Sequence, residues 1–128
     1  MSEKHDKGMA VRRKVLGDAH VDKSIEQKTD FDADFQNFIT EGAWGSVWAR
    51  EGALSLRDRS LLTLTLLASA GHDEEFKMHI RACKNTGATK EEVKETLLHM
   101  GVYVGVPISN HYIKIAKKLY AEMEEENS

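Results

Sequence analysis

Four residues with reactive side chains recur at helical spacing in the middle of the chain. They are separated by three, four and four positions: His72, Glu75, His79 and Cys83. An α-helix makes one turn in about 3.6 residues, so this spacing places all four on one stripe of a helix. Phe76 and Ile80 lie beside the stripe and would partly desolvate it. Desolvation combined with a nearby charge shifts pKa values, so the stripe is a candidate for acid–base catalysis.

Two other interpretations of the stripe stay open at this point. Polar side chains on a helix also form solvated faces or buried groups with satisfied hydrogen bonds. Imidazole and carboxylate groups are also ligands for zinc or iron. The chain has no HExxH motif and no paired cysteines, and His72 stands where the helix is expected to begin. We therefore predict no metal site.

A second candidate site is the segment from Thr40 to Glu51, which we expect to form a bend. Trp44 and Trp48 stand four positions apart in it, with Glu41 before them and Arg50 after them. Apolar rings with a few charged groups are typical of a ligand pocket. Tryptophan is also a common core residue whose indole N–H finds one partner. Further along the chain, His99 and Tyr103 are one helical turn apart and are additional candidates for substrate binding.

Composition excludes several classes of protein. The formal net charge of -3 and the scattered lysines and arginines provide no basic surface for nucleic acid. The most apolar stretch, Leu61 to Ala70, is half the length that a bilayer requires, and no apolar segment follows the charged N-terminus, so we expect neither membrane span nor signal peptide. One cysteine cannot form an internal disulfide. A cytoplasmic protein of one domain, residues 1–128, is expected.

The elements that position these residues are predicted to be helices throughout. Apolar residues recur at three and four positions rather than two, and the chain has a single proline, Pro107. Glycines or capping residues then divide the chain into helices that begin near Met9, Asp18, Thr29, Ser55, His72, Thr89 and Pro107. The leucine-rich helix after Ser55 is expected in the middle of the domain, and the acidic C-terminal segment is expected to fray.

One of these helices carries an unusual number of aromatic residues for its length. Phe31, Phe35 and Phe38 form an apolar stripe with Ile39. We interpret this stripe as core or subunit-interface packing rather than a ligand pocket. A homo-oligomer is therefore expected.

Three segments together resemble the carboxymuconolactone decarboxylase family, within the larger alkylhydroperoxidase D-like group. They are the W-G-x-x-W-x-R element ending at Arg50, the R-x-R-S-L element containing Arg59, and the segment HIRACKNTGATKEE that begins at His79. The resemblance covers about residues 31–121. It implies an all-α fold of about six helices, no metal or organic cofactor, and rings of subunits that are typically hexameric.

The resemblance also implies a pocket and a reaction. Glu41, Arg50, Arg59 and His79 match pocket positions of the decarboxylases. The implied reaction is decarboxylation of 4-carboxymuconolactone in aromatic-acid catabolism, with His79 and Glu41 as candidate catalytic residues. A decarboxylase or isomerase of a related lactone or keto acid, and a helical scaffold without activity, are the alternatives.

Two features distinguish this chain from the peroxidases and decarboxylases that it resembles. Peroxidases of the larger group carry C-x-x-C where this chain has His72 and Glu75, so peroxide reduction through an internal disulfide is not expected. Cys83 is expected to be inert, as a buried helix cysteine usually is. After the G-V-P element, the decarboxylases usually have small residues, whereas this chain has larger ones that would narrow the pocket: Ile108, Asn110, His111 and Tyr112.

Overall fold

A computed structural model describes residues 2–127 of the chain and confirms the all-α prediction. In this range there are seven α-helices and one π-helix. Their bounds are α1 Glu3–Leu16, α2 Asp18–Glu26, α3 Ala33–Ile39, the π-helix Thr40–Trp48, α4 Leu56–Ala70, α5 Asp73–Thr86, α6 Lys90–Val104 and α7 Val106–Glu126. None of the helices in residues 2–127 combines the length and the apolar character needed to cross a bilayer.

Contacts along the chain are concentrated in two units. The first runs up to Leu56 and contains α1 to α3 and the π-helix. The second begins at Arg57 and contains most of α4 together with α5, α6 and α7. The assignment of the whole chain to one domain stays a prediction.

Helix α1 begins six residues before the predicted start at Met9, because Ser2 caps it. The Ser2 hydroxyl accepts a hydrogen bond from the His5 backbone N–H at 3.0 Å, which satisfies one of the free donors of the first turn. Glu3 and Asp6 place negative charge at the positive end of the helix dipole. The predicted start was wrong because Gly8 reads as a helix breaker, although here it lies inside the helix.

Gly8 is required by the packing of α1 on the π-helix. A Cβ atom at this position would lie 2.0 Å from the Thr40 carbonyl oxygen and 2.8 Å from the Gly45 backbone nitrogen. A Cβ atom at Gly45 would in turn lie 2.3 Å from the Lys4 carbonyl oxygen. The two helices therefore meet backbone to backbone, and only glycine permits so close an approach.

A buried arginine fixes the same contact. Arg12 is only 4% exposed, and its guanidinium donates to Thr40 Oγ1 at 3.3 Å and to Gln36 Oε1 at 3.1 Å. Both partners are neutral, and burial lowers the pKa of Arg12 from its usual value. Arg12 thereby connects α1 to the junction of α3 and the π-helix.

The second unit has an apolar core built by all four of its helices. The core residues include Leu64 and Ala68 of α4, Phe76, Ile80 and Cys83 of α5, Val93, Leu97 and Met100 of α6, and Tyr112, Ala116 and Leu119 of α7. Phe76 and Tyr112 meet edge to face with ring centroids 4.7 Å apart, a favourable geometry for aromatic pairs. Cys83 of α5 is therefore enclosed in a core to which α4, α6 and α7 all contribute.

The prediction that α4 lies in the middle of the domain is wrong for the single chain, because this helix is buried on one face only. Only Ser60, Leu64 and Ala68 of this helix are buried, whereas Leu62 is 49% and Leu66 is 68% exposed. Leucines therefore occupy an outward face as well as the core face. The phenylalanines of the first unit are also outside the core, since Phe31 is 98%, Phe35 57% and Phe38 71% exposed.

The ends of the last two helices show one confirmed and one corrected prediction. Thr89 and Glu92 form the predicted capping box, with the Thr89 N–H donating to Glu92 at 2.9 Å and the Glu92 N–H donating to Thr89 at 3.1 Å. The acidic segment predicted to fray is helical as far as Glu126. Arg81 of α5 holds it there by a bidentate ion pair with Glu126, at 2.9 and 3.0 Å.

Candidate active site

The tryptophan-containing segment is a π-helix, not the predicted bend. The Ala49 N–H donates to the Trp44 carbonyl at 2.8 Å, five residues back, which is the hydrogen bond that defines a π-helix. The Ser46 hydroxyl spans the same five residues to the Glu41 carbonyl at 3.1 Å. π-Helices are rare and are frequent at functional sites, because they redirect side chains from the regular helical positions.

Glu41 lies in the first turn of this π-helix and is partly buried. Its Oε1 accepts a hydrogen bond from the Ser2 hydroxyl at 3.1 Å. Because Ser2 also caps α1, the same hydroxyl connects the start of α1 to the Glu41 carboxylate. The carboxylate keeps a second oxygen for a proton or a substrate hydroxyl.

The two tryptophans have different environments. Trp44 is 6% exposed and belongs to the core of the first unit. Trp48 is partly exposed and lines a surface cleft. Their ring centroids are 5.0 Å apart with an interplanar angle of 36°, so Trp44 supports Trp48 from behind. The structure therefore places Trp44 in the core and Trp48 on the wall of a cleft, while a role of either ring in ligand binding stays a prediction.

Arg50 lines the same cleft as Trp48 and is exposed. The cleft has a volume of about 770 Å³ and lies between α1 and the loop that follows the π-helix. That volume is within the ordinary range of small-molecule sites. Trp48 and Arg50 thus offer an apolar wall and a carboxylate-binding group in one cavity.

The predicted stripe on α5 is divided between solvent and core. His79 is 6% and Cys83 2% exposed, whereas His72 and Glu75 are exposed to solvent. His72 is the residue that precedes the first turn, and Glu75 belongs to that turn. Phe76 and Ile80 are fully buried beside His79, as the spacing predicted. His79 is therefore a buried polar residue with buried apolar neighbours on its own helix, and burial strengthens any charge interaction that it makes.

Cys83 has the environment of a structural cysteine. Its Sγ donates to the His79 carbonyl at 3.2 Å, and burial raises the pKa of the thiol to about 11. Near neutral pH only about one thiol in 10⁴ is then ionised, and the thiolate is the reactive form. Cys83 is accordingly a poor nucleophile.

Arg59 lies in the first turns of α4 and is partly buried. Its Nε atom is buried and makes no hydrogen bond to any described residue. Its neighbour Arg57 instead pairs with Asp58 at 2.9 Å and with Glu92 of the capping box, so it has a structural role. A buried donor without a protein partner is unusual, and Arg59 therefore stays a candidate for ligand binding.

His99 and Tyr103 stack on the exposed side of α6. Their ring centroids are 5.3 Å apart, and Tyr103 is 79% exposed. They line an open groove of about 470 Å³ with residues of α4, including Thr65 and Leu66. His79 is not part of the lining of that groove. Within the second unit the structure therefore does not bring these two candidates together with His79.

A cluster that the sequence did not indicate joins α5 to α7. Asp73 accepts hydrogen bonds from the Tyr112 hydroxyl and, at 3.0 Å, from His111 Nε2. The two bonds, that from Tyr112 foremost, lower the pKa of Asp73, while burial and the bond to Asp73 raise the pKa of Tyr112 to about 12. His111 and Tyr112, expected to narrow a pocket, therefore hold the start of α5. Asp73 and His111 are 38 residues apart, so no local pattern in the sequence predicts their contact.

The described residues 2–127 contain no group of three histidine, cysteine or acidic side chains arranged to hold a metal ion.

Most of the chain matches a known protein family. The model of the carboxymuconolactone decarboxylase family matches residues 33–118. This chain belongs to that family. The matched range contains every candidate site residue and leaves α1 and α2 outside it.

Individual decarboxylases are also similar to this chain, two of them over most of its length. A 4-carboxymuconolactone decarboxylase of Acinetobacter baylyi is 44% identical over 121 residues, which are 94% of this chain and 90% of that protein. A nitrosuccinic acid decarboxylase of Metarhizium robertsii is 38% identical over 118 residues, 92% of this chain and 82% of that protein. A 4-carboxymuconolactone decarboxylase sequence of Pseudomonas putida is 54% identical over 43 residues, 34% of this chain and 90% of that sequence.

Proposed function

We propose that this chain decarboxylates 4-carboxymuconolactone to 3-oxoadipate enol-lactone and CO₂ without a cofactor. The observation that carries the proposal is the 44% identity to the Acinetobacter baylyi decarboxylase along 94% of the chain. The reaction belongs to the carbon–carbon lyases and to the β-ketoadipate branch of aromatic-acid catabolism.

The substrate supplies its own electron sink. Its leaving carboxylate is attached to a ring carbon that one C=C bond connects to the lactone carbonyl. When the C–C bond breaks, the electron pair moves through that double bond onto the carbonyl oxygen, and CO₂ departs. A proton then adds to ring carbon and regenerates the lactone. The protein has to stabilise an oxyanion and deliver that proton.

His79 is the candidate proton donor. Imidazole ordinarily titrates near neutrality, and a positioned acid contributes about 10²–10⁴ in rate. His79 is only 6% exposed, and this burial limits competition from water and favours a directed transfer. Glu41 is the second candidate acid–base group. Glu75, one turn before His79, could orient the imidazole when the exposed surface of α5 is covered.

The arginines and aromatic walls are candidates for binding. Arg50 and Arg59 are suited to the carboxylate that the substrate retains, since guanidinium binds carboxylate through two parallel hydrogen bonds. An arginine on the leaving carboxylate would oppose its loss. An apolar wall such as Trp48, supported by Trp44, destabilises that charge in the ground state and favours its departure. His99 and Tyr103 remain candidates for binding on a separate groove.

A second candidate substrate is nitrosuccinic acid, which the relative from Metarhizium robertsii favours. In this acid the electron pair left by CO₂ moves onto the nitro group. Both substrates share a carbon that bears a leaving carboxylate, an electron acceptor and a carboxymethyl arm. Each is therefore a succinate with an acceptor on one of its central carbons.

The test is CO₂ release by the purified protein from each acid, after removal of metals with a chelator. Turnover of 4-carboxymuconolactone with a higher kcat/KM than nitrosuccinic acid supports the first candidate. The reverse order supports the second. No CO₂ from either acid would contradict both.

The active form is proposed to be a cytoplasmic homo-oligomer, a hexamer as in the resembled family. Exposed apolar side chains support the association, since a soluble monomer rarely exposes large contiguous apolar patches. In the first unit these are the phenylalanines of the α3 region, and in the second they include Leu66, Val102, Tyr103 and Val106, each at least 68% exposed. Sedimentation at micromolar concentration checks this, and a monomer of 14.4 kDa would contradict it.

A further inference from the structure

The cleft beside Trp48 has an excess of positive charge. Its ionisable lining residues are Lys7 and Lys14 of α1 with Arg50 and Glu51 of the following loop. Three are cationic and one is anionic. Ala10 and Val11 of α1 and Trp48 provide an apolar floor and wall. The chemistry of the cavity therefore matches a small organic anion with an apolar body.

The cations of the cleft differ in their availability. Lys7 pairs with Glu3 at 3.2 Å, one turn before it on α1. Lys14 and Arg50 make no ion pair with any described residue, and both are exposed. Other arginines of the first unit are already engaged, since Arg12 donates to Thr40 and Gln36 and Arg13 pairs with acidic residues. Lys14 and Arg50 are thus the free cations of this cavity.

We infer that Lys14, together with Arg50, binds the carboxymethyl arm that the substrate keeps, and so selects acids with a succinate skeleton. This inference rests on the proposed function. Lys14 lies on α1, outside the range matched by the family model, so no family motif points to it. Arg50 supplies a planar fork and Lys14 a mobile point charge, and two cations on one carboxylate discriminate against acids that lack the arm.

The role of Lys14 is binding rather than chemistry. The carboxymethyl group carries the same charge before, during and after CO₂ loss. An interaction that is equal in the ground and transition states lowers KM and leaves kcat unchanged. Because Lys14 is exposed, water and salt screen the interaction, and its effect should decrease as ionic strength rises.

The experiment compares Lys14→Gln with a matched control, Lys23→Gln. Lys23 is also an exposed lysine in the last turn of a helix of the first unit, but it does not line the cleft. Steady-state decarboxylation gives kcat and KM, and succinate serves as a competitive inhibitor that has both carboxylates but no electron acceptor. Circular dichroism confirms that the variants are helical.

The expected result is a KM about fivefold higher for Lys14→Gln at low salt, with kcat within twofold of the parent. Succinate inhibition should weaken by the same factor, Lys14→Arg should restore both, and Lys23→Gln should match the parent. Equal KM and equal succinate inhibition in Lys14→Gln and Lys23→Gln would overturn the inference while leaving the proposed function intact.

Calorimetry of succinate binding distinguishes failure of the proposed function from failure of the inference about Lys14. If the parent releases no CO₂ from either acid, the proposed function fails, and succinate binding alone then tests the cleft. Binding that weakens only in Lys14→Gln supports the carboxylate site. Binding that is absent in the parent, or equal in both variants, overturns it.

Discussion

Replacement of Gly45 by alanine should break the contact that holds the π-helix on α1. The added Cβ would lie 2.3 Å from the Lys4 carbonyl oxygen and 2.8 Å from Lys4 Cγ, where ordinary contacts begin near 3.4 Å. The Lys4 side chain can move aside, but its carbonyl belongs to the α1 backbone. One helix therefore has to shift by about an ångström.

The size of the effect follows from two opposing terms. Overpacking of this kind costs about 1–3 kcal/mol, and more where backbone has to move. Alanine also gains up to about 1 kcal/mol over glycine in a helix interior. Because backbone has to move at this position, the upper cost of about 3 kcal/mol applies, and subtraction of the gain of about 1 kcal/mol leaves an expected net loss of about 2 kcal/mol for Gly45→Ala. Gly42→Ala in the same π-helix should gain helix stability without a steric clash. A Cβ atom at Gly42 would have Phe38 Cε1 as its nearest neighbour, at an ordinary contact distance of 3.9 Å.

Thermal and urea unfolding of the two variants and the parent, at one protomer concentration, measures this difference. Gly42→Ala should be neutral or slightly more stable, and Gly45→Ala clearly less stable. Decarboxylation by Gly45→Ala should also fall, because Glu41 and Trp48 are positioned by the displaced π-helix. Equal stability of the two alanine variants would refute the backbone contact.

The remaining predictions concern Cys83 and Asp73. Cys83→Ala should have decarboxylase activity within a few-fold of the parent, since the thiol is buried and has a pKa of about 11. The rate of hydroperoxide reduction should be the same in both proteins, and a peroxidase activity that is lost with Cys83 would assign the chain to another class. Asp73 has a lowered pKa, so the stabilisation that it provides is present above its unfolded pKa of ~3.9 and is lost as pH falls through its folded value. Tyr112, whose pKa is raised to about 12, provides stabilisation below pH ~10 that is lost between ~10 and about 12. Asp73→Asn should therefore unfold more readily than the parent at pH 7 and show a smaller further loss at acid pH; parallel pH profiles would remove the cluster from the account.

The sequence predicted helices well where the signal is local. Gly17, Gly87 and Gly105 end helices because each has a positive φ, and the Thr89 capping box is formed within four residues. The prediction from sequence failed where the local structure depends on a contact with a residue far away in the chain. In the sequence Gly8 has the pattern of a helix breaker, and only the π-helix backbone packed against it explains why glycine is needed inside α1. Two tryptophans four positions apart suit both an α-helix and a π-helix, so their spacing did not distinguish the two.

The site shows the same division between local and distant information. His79 and Arg50 are predicted from the motifs, and the structure buries the first and places the second on a cleft, while their roles stay predictions. No sequence pattern points to Lys14, because a single lysine on an amphipathic helix has the same pattern as any solvated residue. Only the packing of α1 beside the loop after the π-helix places it in the same cleft as Arg50.

The most direct test of the central claim is steady-state decarboxylation of 4-carboxymuconolactone by the parent protein and by His79→Gln. If the chain is a cofactor-free decarboxylase with His79 as proton donor, the parent should convert the substrate in the presence of a chelator. The variant should have a kcat lower by roughly 10²-fold or more, with KM little changed. Circular dichroism should show both proteins to be helical. Equal kcat values would remove His79 from the mechanism, and a parent that releases no CO₂ would contradict the function itself.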